Sequence, residues 1–328
     1  MRALRLPFVA AVLALAAPAL AQSRTEAGFG LVRLDPSTRA AALAGAGAVP
    51  GDDPTAAFYN PALLGPEMDR AAALSFTNHP LDVRVGAASY ARDVRLPALG
   101  AVTGAVAVRY LSYGDLERRT GAEDPDAAVE SFSAGDAALT VSAAREVLPQ
   151  VRVGASVHAL FARVDEARGR ALAADLGATL AVPAQALTLG ASVHHVGAVL
   201  SSLGETGDQL PLDVRLTAAK RLRYVPLTVS VAAVDLQSFD GPGLDSSLVR
   251  RALDHLALGG ELQLGTTLAV RAGYRPRAGD DFRSGERLSL AGVSLGAGLR
   301  LRRVSVDYAY VGRGSFGALH QFGVRTRL

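Results

Sequence analysis

The sequence predicts an all-β protein, a transmembrane antiparallel β-barrel of about fourteen strands with a small N-terminal plug. Three observations lead to this prediction. Apolar and polar residues alternate with period two through residues 70–328, the joints between these segments alternate in length, and an export signal precedes them. A membrane band about 25 Å tall needs roughly ten residues per tilted strand, and the segments have about that length.

Residues 1–21 have the pattern of a cleaved signal peptide. Arg2 and Arg5 form a positive n-region, residues 6–17 form a short apolar stretch, and Ala19-Leu20-Ala21 is an A-x-A cleavage site. The apolar stretch is too short to be kept as a membrane span. Because the chain has no cysteine, a lipid anchor, disulfides, thiolate metal sites and cysteine nucleophiles are excluded.

The composition narrows the class of protein further. The formal net charge is +3, two of these charges belong to the signal peptide, and Lys220 is the only lysine, so no dense basic face for nucleic acid exists. The mean hydropathy of +0.22 is high for an exported chain that has no long apolar helix after residue 21. A soluble protein would bury such residues in a core, whereas a barrel exposes them to outer-membrane lipid.

The alternation is clearest between residues 256 and 264. Four leucines share one face of this segment, while Ala257, Gly259, Glu261 and Gln263 share the other. The same pattern places the strand cores near 71–78, 83–91, 101–113, 132–145, 151–163, 171–182, 186–196, 211–220, 226–236, 255–264, 267–275, 287–300, 303–311 and 316–327.

The joints between these segments are an independent indication. Short joints fall at 146–150, 183–185, 221–225, 265–266 and 301–302, and long joints fall at 114–131, 197–210, 237–254 and 276–286. Such alternation is typical of barrels with tight periplasmic turns and long outer loops. It predicts an outer-membrane location with both termini periplasmic. The alternative, a soluble two-sheet sandwich, has no reason to alternate its loop lengths.

Residues 22–69 differ from the barrel and predict a plug made of short helical turns. Asp35 before Pro36 is expected to cap a first helix that Gly45 stops, and Asp52-Asp53-Pro54 begins a second turn. Asn60 precedes a proline and is expected to leave the helical region. A soluble helical hairpin is the alternative. The residues that carry the predicted plug motif are Asp35, Pro36, Arg39, Asp52, Asp53, Asn60, Pro61 and Ala62.

Several charged residues alternate with aliphatic residues in the predicted strands. A charge that faced lipid at mid-depth would cost about 2–4 kcal/mol, so these side chains are expected to face the lumen. They are Asp213, Arg215, Glu261, Arg271, Arg275 and Asp307. We expect them to pair with one another or with the plug, in particular with Asp52 and Asp53. A polar conduit is the alternative.

No catalytic, cofactor or metal site is predicted, and the chain is not expected to be an enzyme. His194 and His195 form the only histidine cluster, but adjacent strand residues point to opposite faces and cannot easily chelate one metal. Ser192 and His194 share a face, yet the chain lacks a G-x-S-x-G turn.

The joint at 237–254 is expected to carry a surface helix. Asp245 is its predicted N-cap, with Leu248 and Ala252 on one side and Arg250 and Arg251 on the other. We interpret it as a helix offered to a partner protein. A lid packed over the barrel mouth is the alternative.

The N-terminal segment resembles the PorV/PorQ family, which belongs with the FadL-like barrels. The resemblance is carried by Leu34-Asp35-Pro36-Ser37-Thr38-Arg39-Ala40-Ala41-Ala42-Leu43, Gly45-Ala46-Gly47, Asp52-Asp53 and Phe58-Tyr59-Asn60-Pro61-Ala62-Leu63-Leu64. Later stretches are more similar to PorQ than to PorV, among them Leu210-Pro211-Leu212-Asp213, Arg271-Ala272-Gly273-Tyr274 and Val306-Asp307-Tyr308-Ala309.

This resemblance implies an outer-membrane component of the type IX secretion system. Such a protein docks the cell-surface attachment complex for secreted cargo, with PorZ-, PorU- and PorV-like proteins as partners. The alternative is a FadL-like transporter of small hydrophobic molecules, which would bind a hydrophobic ligand. Transport requires an apolar cavity and a breach in the wall, whereas docking requires ordered outer loops and tolerates a filled lumen.

Overall fold

The computed structural model describes residues 28–47, 50–119, 129–204, 207–239, 247–281 and 290–328, so the predicted signal peptide lies outside the described residues. The described chain forms fourteen strands. They are β1 (Ala71–Asn78), β2 (Arg84–Leu96), β3 (Gly100–Arg119), β4 (Val129–Leu148), β5 (Val151–Val164), β6 (Ala167–Val182), β7 (Leu187–Ser201), β8 (Asp213–Arg221), β9 (Leu227–Ala233), β10 (Leu256–Leu264), β11 (Leu268–Tyr274), β12 (Val293–Leu301), β13 (Val304–Gly312) and β14 (Ala318–Arg327).

Each strand pairs antiparallel with its neighbours in the chain, and β14 pairs with β1 to close the barrel. The predicted fourteen-stranded antiparallel barrel is therefore confirmed. The predicted end of β3 near residue 113 is wrong, because a β-bulge between Ser112 and Asp115 absorbs Gly114 and the strand continues to Arg119. The predicted start of β12 at residue 287 is also wrong, since the strand begins at Val293.

The outer surface of the barrel is apolar, as the alternation predicts. Leu74, Val108, Val141 and Val157 are among the large apolar side chains that point outward from the strands and are at least half exposed. Only contact with lipid makes such a surface stable in a folded protein. None of the helices in the described ranges is both long and apolar enough to cross a membrane.

The two ends of the barrel differ. The turns that follow the even-numbered strands are short, such as residues 149–150 and 302–303, and we call this end the short-turn end. Residues 202–212, 234–255 and 275–292 form long connections at the opposite end, the long-loop end. Helices α2 (Leu248–Asp254) and α3 (Pro276–Asp281) lie in two of these connections.

Residues 28–47 and 50–70 form the described part of the plug and lie inside the barrel. They contain α1 (Thr38–Ala42) and four 3₁₀ helices at Gly30–Arg33, Pro54–Phe58, Pro61–Leu63 and Pro66–Met68. The predicted N-cap at Asp35 is wrong, because the Ser37 side chain accepts the hydrogen bond from the Ala40 N–H, and Asp35 instead accepts one from the Tyr59 hydroxyl.

The later plug turns begin where the sequence predicts. The side chain of Asp53 accepts the Thr55 N–H ahead of Pro54, and Asn60 is extended before Pro61. Helix α2 begins at Leu248 with Ser247 as its N-cap, so the predicted cap at Asp245 is wrong for this helix, and Asp245 lies outside the described residues.

Candidate functional site: the lumen, its plug and one section of wall

The plug runs along the whole lumen. Its first described residue, Gly28, lies against the side chain of Asp208 in the connection after β7, at the long-loop end. Its last 3₁₀ helix lies at the short-turn end, where Glu67 is 3.6 Å from Arg152 at the start of β5. The chain then turns into β1.

Glycines that face inward let the plug backbone touch the sheet. A Cβ added at Gly177 would overlap the side chain of Asn60, and one added at Gly154 would lie 2.5 Å from the carbonyl carbon of Pro61. Asn60 is fully buried and donates its amide N–H groups to the carbonyls of Ala178 and Ala191, at 3.1 and 3.2 Å. It therefore joins the plug to β6 and β7.

A chain of charged side chains joins the plug to the other half of the wall. Arg39 donates two hydrogen bonds of 2.7 Å to Glu261, which also accepts one of 2.6 Å from Arg271. The chain continues from Arg271 to Asp307 at 2.6 Å, from Asp307 to Arg325 at 3.0 Å, from Arg325 to Asp52 at 2.7 Å and from Asp52 to Arg300 at 2.9 Å.

The structure thus brings together three of the predicted lumenal charges and two predicted plug residues. Arg325 and Arg300 were missed by the sequence analysis, although Arg325 follows the outward Val324 and the period-two pattern would have placed it inside. Burial alone would raise the pKa of Asp52, but the positive charges of Arg325 and Arg300 outweigh it and hold that pKa below its ordinary value.

The other predicted lumenal charges lie elsewhere in the lumen. Asp213 and Arg215 form an ion pair on β8, and Arg275 lies 3.5 Å from Asp235. The ring of Tyr59 in the plug lies 5.9 Å from the Arg215 guanidinium. The four charged side chains border a cavity, which the chain of ion pairs from Arg39 to Arg300 does not reach.

A cavity of about 880 Å³ occupies the long-loop half of the lumen. One part of its lining is apolar, and another part carries the paired charges of β8 and β11. The apolar part includes Phe29, Tyr113, Leu116, Phe132, Leu203 and Leu210. Plug residues form one side of the cavity, and polar and apolar groups share its lining about equally.

The cavity borders the wall where the backbone ladder stops. Strands β7 and β8 pair only as far as His194 and Asp213, and β8 and β9 pair only as far as Leu216 and Ala233. Beyond these points the segment Leu210–Leu212 folds inward, and Leu210 and Leu212 are buried. The wall between β7 and β9 therefore lacks part of its usual hydrogen bonding.

Side chains replace the missing backbone partners. Val214 donates its N–H to Oε1 of Gln237 at 2.9 Å, and Nε2 of Gln237 donates to the carbonyl of Leu212, so the amide of Gln237 acts as a peptide unit would. The N–H of Asp235 donates to Asp213 at 2.9 Å, and Nδ1 of His195 lies 3.0 Å from the carbonyl of Pro211. We call these contacts of Gln237, Asp213 and His195 the side-chain seal.

A buried cluster of three histidines and one aspartate lies beside this seal. The prediction that His194 and His195 point to opposite faces is wrong, because His195 has a φ of 60° in a β-bulge and both side chains are buried. Both lie near Asp175 on β6 and His158 on β5. Among the residues that the structure describes, no group of ligating side chains is placed to hold a metal ion.

Ser192, His194 and Asp175 have the spacing of a nucleophile, a base and an acid. The Ser192 hydroxyl lies 2.8 Å from Nε2 of His194, whose Nδ1 lies 3.1 Å from Asp175. However, Ser192 is only 1% exposed, and its hydroxyl lies 3.3 Å from the plug carbonyl of Tyr59. A substrate carbonyl has no access, so the arrangement holds the plug rather than catalysing acyl transfer.

Comparison with known proteins gives structural relatives only. No protein-family model and no curated protein matches the chain. A Pseudomonas aeruginosa FadL homologue is similar in structure, with 14% identity and a TM-score of 0.52 over 89% of this chain and 98% of that one. The Pseudomonas putida toluene transporter TodX has 12% identity and a TM-score of 0.56 over 89% of this chain and 96% of that one. The chain has the fold of the FadL-type outer-membrane barrels.

The FadL-like class predicted from the sequence is thereby confirmed. A monoaromatic hydrocarbon channel, the TodX deltaS2 mutant, also shares the fold, with 13% identity and a TM-score of 0.51 over 90% of this chain and 98% of that one. By their names, these two relatives are a toluene transporter and a monoaromatic hydrocarbon channel. The assignment to the PorV/PorQ family within this class stays a prediction.

Removal of the ion pair between Arg39 and Glu261 should destabilise the folded protein. In Arg39→Met the plug loses its two hydrogen bonds to a buried carboxylate, and we expect the free energy of unfolding to fall by about 3 kcal/mol. Urea unfolding in detergent micelles would measure it. Arg84→Met is the control, because Arg84 is exposed and 3.9 Å from Asp82, so its loss should cost at most about 1 kcal/mol. Equal losses in the two variants would contradict the role assigned to Arg39.

Proposed function

We propose that this FadL-type barrel is an outer-membrane transporter of small hydrophobic molecules. The observation that carries the proposal is the cavity of about 880 Å³ next to a section of wall that side chains, and not backbone, hold closed. A cavity with an apolar side and a place where the wall can open, the two features that support transport, are adjacent.

The cavity has an apolar side and a polar side, so it suits a hydrophobic molecule that carries a polar end. Leu116, Phe132 and Leu203 are partly exposed and offer apolar contacts, and burial of apolar surface favours binding by about 25 cal/mol per Å². Asp213 and Arg215 neutralise each other at the edge of the cavity. A ligand with a small polar end therefore meets paired charges there, while its apolar part lies against the plug and β3–β5.

A straight path through the barrel is blocked by the plug. Asn60 and Arg39 hold it to opposite parts of the wall, and breaking such buried contacts costs several kcal/mol. A molecule in the cavity is much closer to the side-chain seal, which consists of a few hydrogen bonds worth about 1 kcal/mol each. We therefore propose exit through the wall between β7 and β9 into the membrane.

The proposed orientation puts the long-loop end outside the cell. Long outer loops and tight periplasmic turns are typical of these barrels. With this orientation the cavity opens toward the outside and β14 ends on the periplasmic side. The likeness to a toluene transporter supports a hydrophobic cargo for this barrel as well.

Loss of the Gln237 amide should loosen the wall. Gln237→Leu keeps the size of the side chain but leaves the Val214 N–H and the Leu212 carbonyl without their partner. Because two bonds of about 1 kcal/mol each are lost from the closed wall, release of a fluorescent alkyl probe into the bilayer should rise more than tenfold. The measurement is the transfer rate of the probe through reconstituted vesicles.

Gln263→Leu is the matched control for this experiment. Gln263 makes its side-chain bonds in the turn between β10 and β11, at the short-turn end. Its substitution should leave the transfer rate unchanged. Native vesicles that transfer the probe no faster than protein-free vesicles would refute the transport proposal.

One observation favours a second function, docking of surface proteins. Helix α2 exposes Leu248 and Val249, at 67% and 72%, at the long-loop end. Arg251 anchors the helix by lying 5.8 Å from the ring of Phe239, so the apolar side is held outward. We propose as the alternative that α2 docks attachment proteins of type IX secretion, of the PorZ, PorU or PorV kind.

The docking alternative makes its own prediction. The double variant Leu248→Ser, Val249→Ser removes the exposed apolar side of α2 and should reduce co-purification of attachment-complex proteins from membrane extracts at least tenfold, about 1.4 kcal/mol. Leu81→Ser, at an exposed residue in the connection after β1, is the matched control and should have no effect. If both variants and the native protein retain no such partner, docking is refuted.

A further inference from the structure

We propose that three arginines on the outer face of the β5–β6 hairpin bind a phosphate group of a membrane lipid at the long-loop end. They are Arg163, Arg168 and Arg170, and we call them the arginine cluster. This inference goes beyond the proposed function, because it concerns the lipid face of the wall. It depends on the barrel and its orientation, and not on what the lumen carries.

All three side chains of the arginine cluster point away from the lumen. Gly169 lies between Arg168 and Arg170 and faces inward, since a Cβ added there would lie 3.3 Å from an aromatic carbon of the plug. Successive side chains of a strand point to opposite faces, so both arginines point outward, and both are exposed. On β5 the buried Ala162 precedes Arg163, which is exposed and therefore also points outward.

The ladder brings the three positive charges close together. Arg163 lies directly opposite Arg168 in the pairing of β5 with β6, and facing side chains have Cβ atoms about 4.5–5.5 Å apart. Arg170 follows on the same face, about 7 Å from Arg168. Like charges at facing positions destabilise a sheet. An anion that bridges them would remove this repulsion.

The protein itself supplies no counter-charge to the arginine cluster. Arg163 donates from Nε to the backbone carbonyl of Asp165 at 2.9 Å, whereas the carboxylate of Asp165 accepts a hydrogen bond from Arg118 at 3.1 Å. Within the ranges that the structure describes, the side chains of Arg168 and Arg170 make no hydrogen bond or ion pair. Their guanidinium groups therefore keep donors for an anion from outside the chain.

The arginine cluster lies where the apolar band of the wall ends. The outward positions of β6 on the short-turn side of Arg170 are all apolar: Leu172, Ala174, Leu176, Ala178, Leu180 and Val182. Roughly ten residues of a tilted strand cross an apolar band of about 25 Å, so these positions account for the whole band. Phe161 faces Arg170 across the ladder and is 47% exposed, as aromatic residues are at the edge of the hydrocarbon. The guanidinium groups thus lie at the depth of the lipid headgroups.

The chemistry of the arginine cluster fits a lipid phosphate. Phosphate offers several strong acceptor oxygens, and the planar guanidinium group binds such oxygens in pairs. An acidic protein would offer negative charge as well, but the exposed side chains of Phe161 and Leu172 beside the cluster fit an acyl chain better than a polar protein surface. With the proposed orientation this is the outer leaflet, whose lipid is a phosphorylated glycolipid. We therefore assign the cluster to the phosphate of that lipid.

Binding of lipid A, the phosphorylated anchor of such a glycolipid, tests the assignment. The full chain in zwitterionic micelles is mixed with a concentration series of lipid A, and native mass spectrometry measures the fraction of barrels that carry it. We expect saturable binding. The triple variant Arg163→Gln, Arg168→Gln, Arg170→Gln keeps polar side chains but loses the charges, so its affinity should fall at least tenfold. Equal affinities of the native protein and the triple variant overturn the proposal.

Arg84→Gln is the matched control. Arg84 is a single exposed arginine at the long-loop end of β2, and Asp82 lies 3.9 Å from it, so its substitution should leave the affinity unchanged. A loss as large as that of the triple variant would mean that any arginine at this end suffices, and would overturn the assigned site.

Other ligands identify the group that is bound. Lipid A without its phosphates should bind the native protein at least tenfold more weakly, and equal binding would show that apolar contact alone accounts for the complex. Inorganic phosphate that displaces lipid A at equal concentration would assign the cluster to a free anion. Polyglutamate that binds more tightly than lipid A would assign it to an acidic protein. Each of these three results overturns the proposal.

Stability measurements separate lipid binding from a role in the fold. In micelles without lipid A, Arg168→Gln removes one of two facing like charges, so its urea midpoint should equal or exceed that of the native protein. Lipid A should raise the midpoint of the native protein but not that of the triple variant, because a ligand stabilises only the protein that binds it. A triple variant that is less stable by the same amount with and without lipid A would show that the arginines serve the fold alone, and would overturn the proposal.

Discussion

The structure depends on the close contact between the plug backbone and the inward-facing glycines of the barrel. Gly154 and Gly177 let Pro61 and Asn60 touch the sheet with no side chain between them. Because the plug lies so close to the wall, the charges of Arg39 and Asp52 reach those of the strands, and the ion chain from Arg39 to Arg300 follows. A larger residue at these glycines would move the plug away from all of its partners.

This contact divides the lumen into a filled half and an open half. The plug fills the short-turn half with buried, paired groups, whose disruption costs several kcal/mol per broken pair. The long-loop half keeps the cavity and ends at a wall held by the bonds of Gln237, Asp213 and His195. The comparison of these energies favours a path from the cavity through the wall over a path past the plug.

The strands, and the inward position of the charges in the ion chain, could be predicted from the sequence. Both follow from the alternation of apolar and polar residues along each strand. Each strand residue faces either the lipid outside or the plug inside. Glu261, Arg271 and Asp307 could therefore be placed inside the barrel. The cap at Ser37 was missed, since Asp35 before a proline has the stronger local signal. The bulge at His195 breaks the alternation itself, and no pattern of period two can reveal it. The partnership of Gln237 with Val214 depends on where two strands stop pairing, which is a tertiary property.

Side-chain hydrogen bonds, and not a backbone ladder, close this section of the wall. This explains why the section can open. A backbone ladder opens cooperatively, because each hydrogen bond fixes the geometry of the next one. The amide of Gln237 and the ring of His195 leave their partners by rotation about side-chain torsions, which costs far less than moving a strand. The inward fold of Leu210 and Leu212 buries apolar side chains that would otherwise face lipid, where they are equally well accommodated. Few bonds and little hydrophobic energy therefore hold the segment inside, and the weakest section of the wall is the section that borders the cavity.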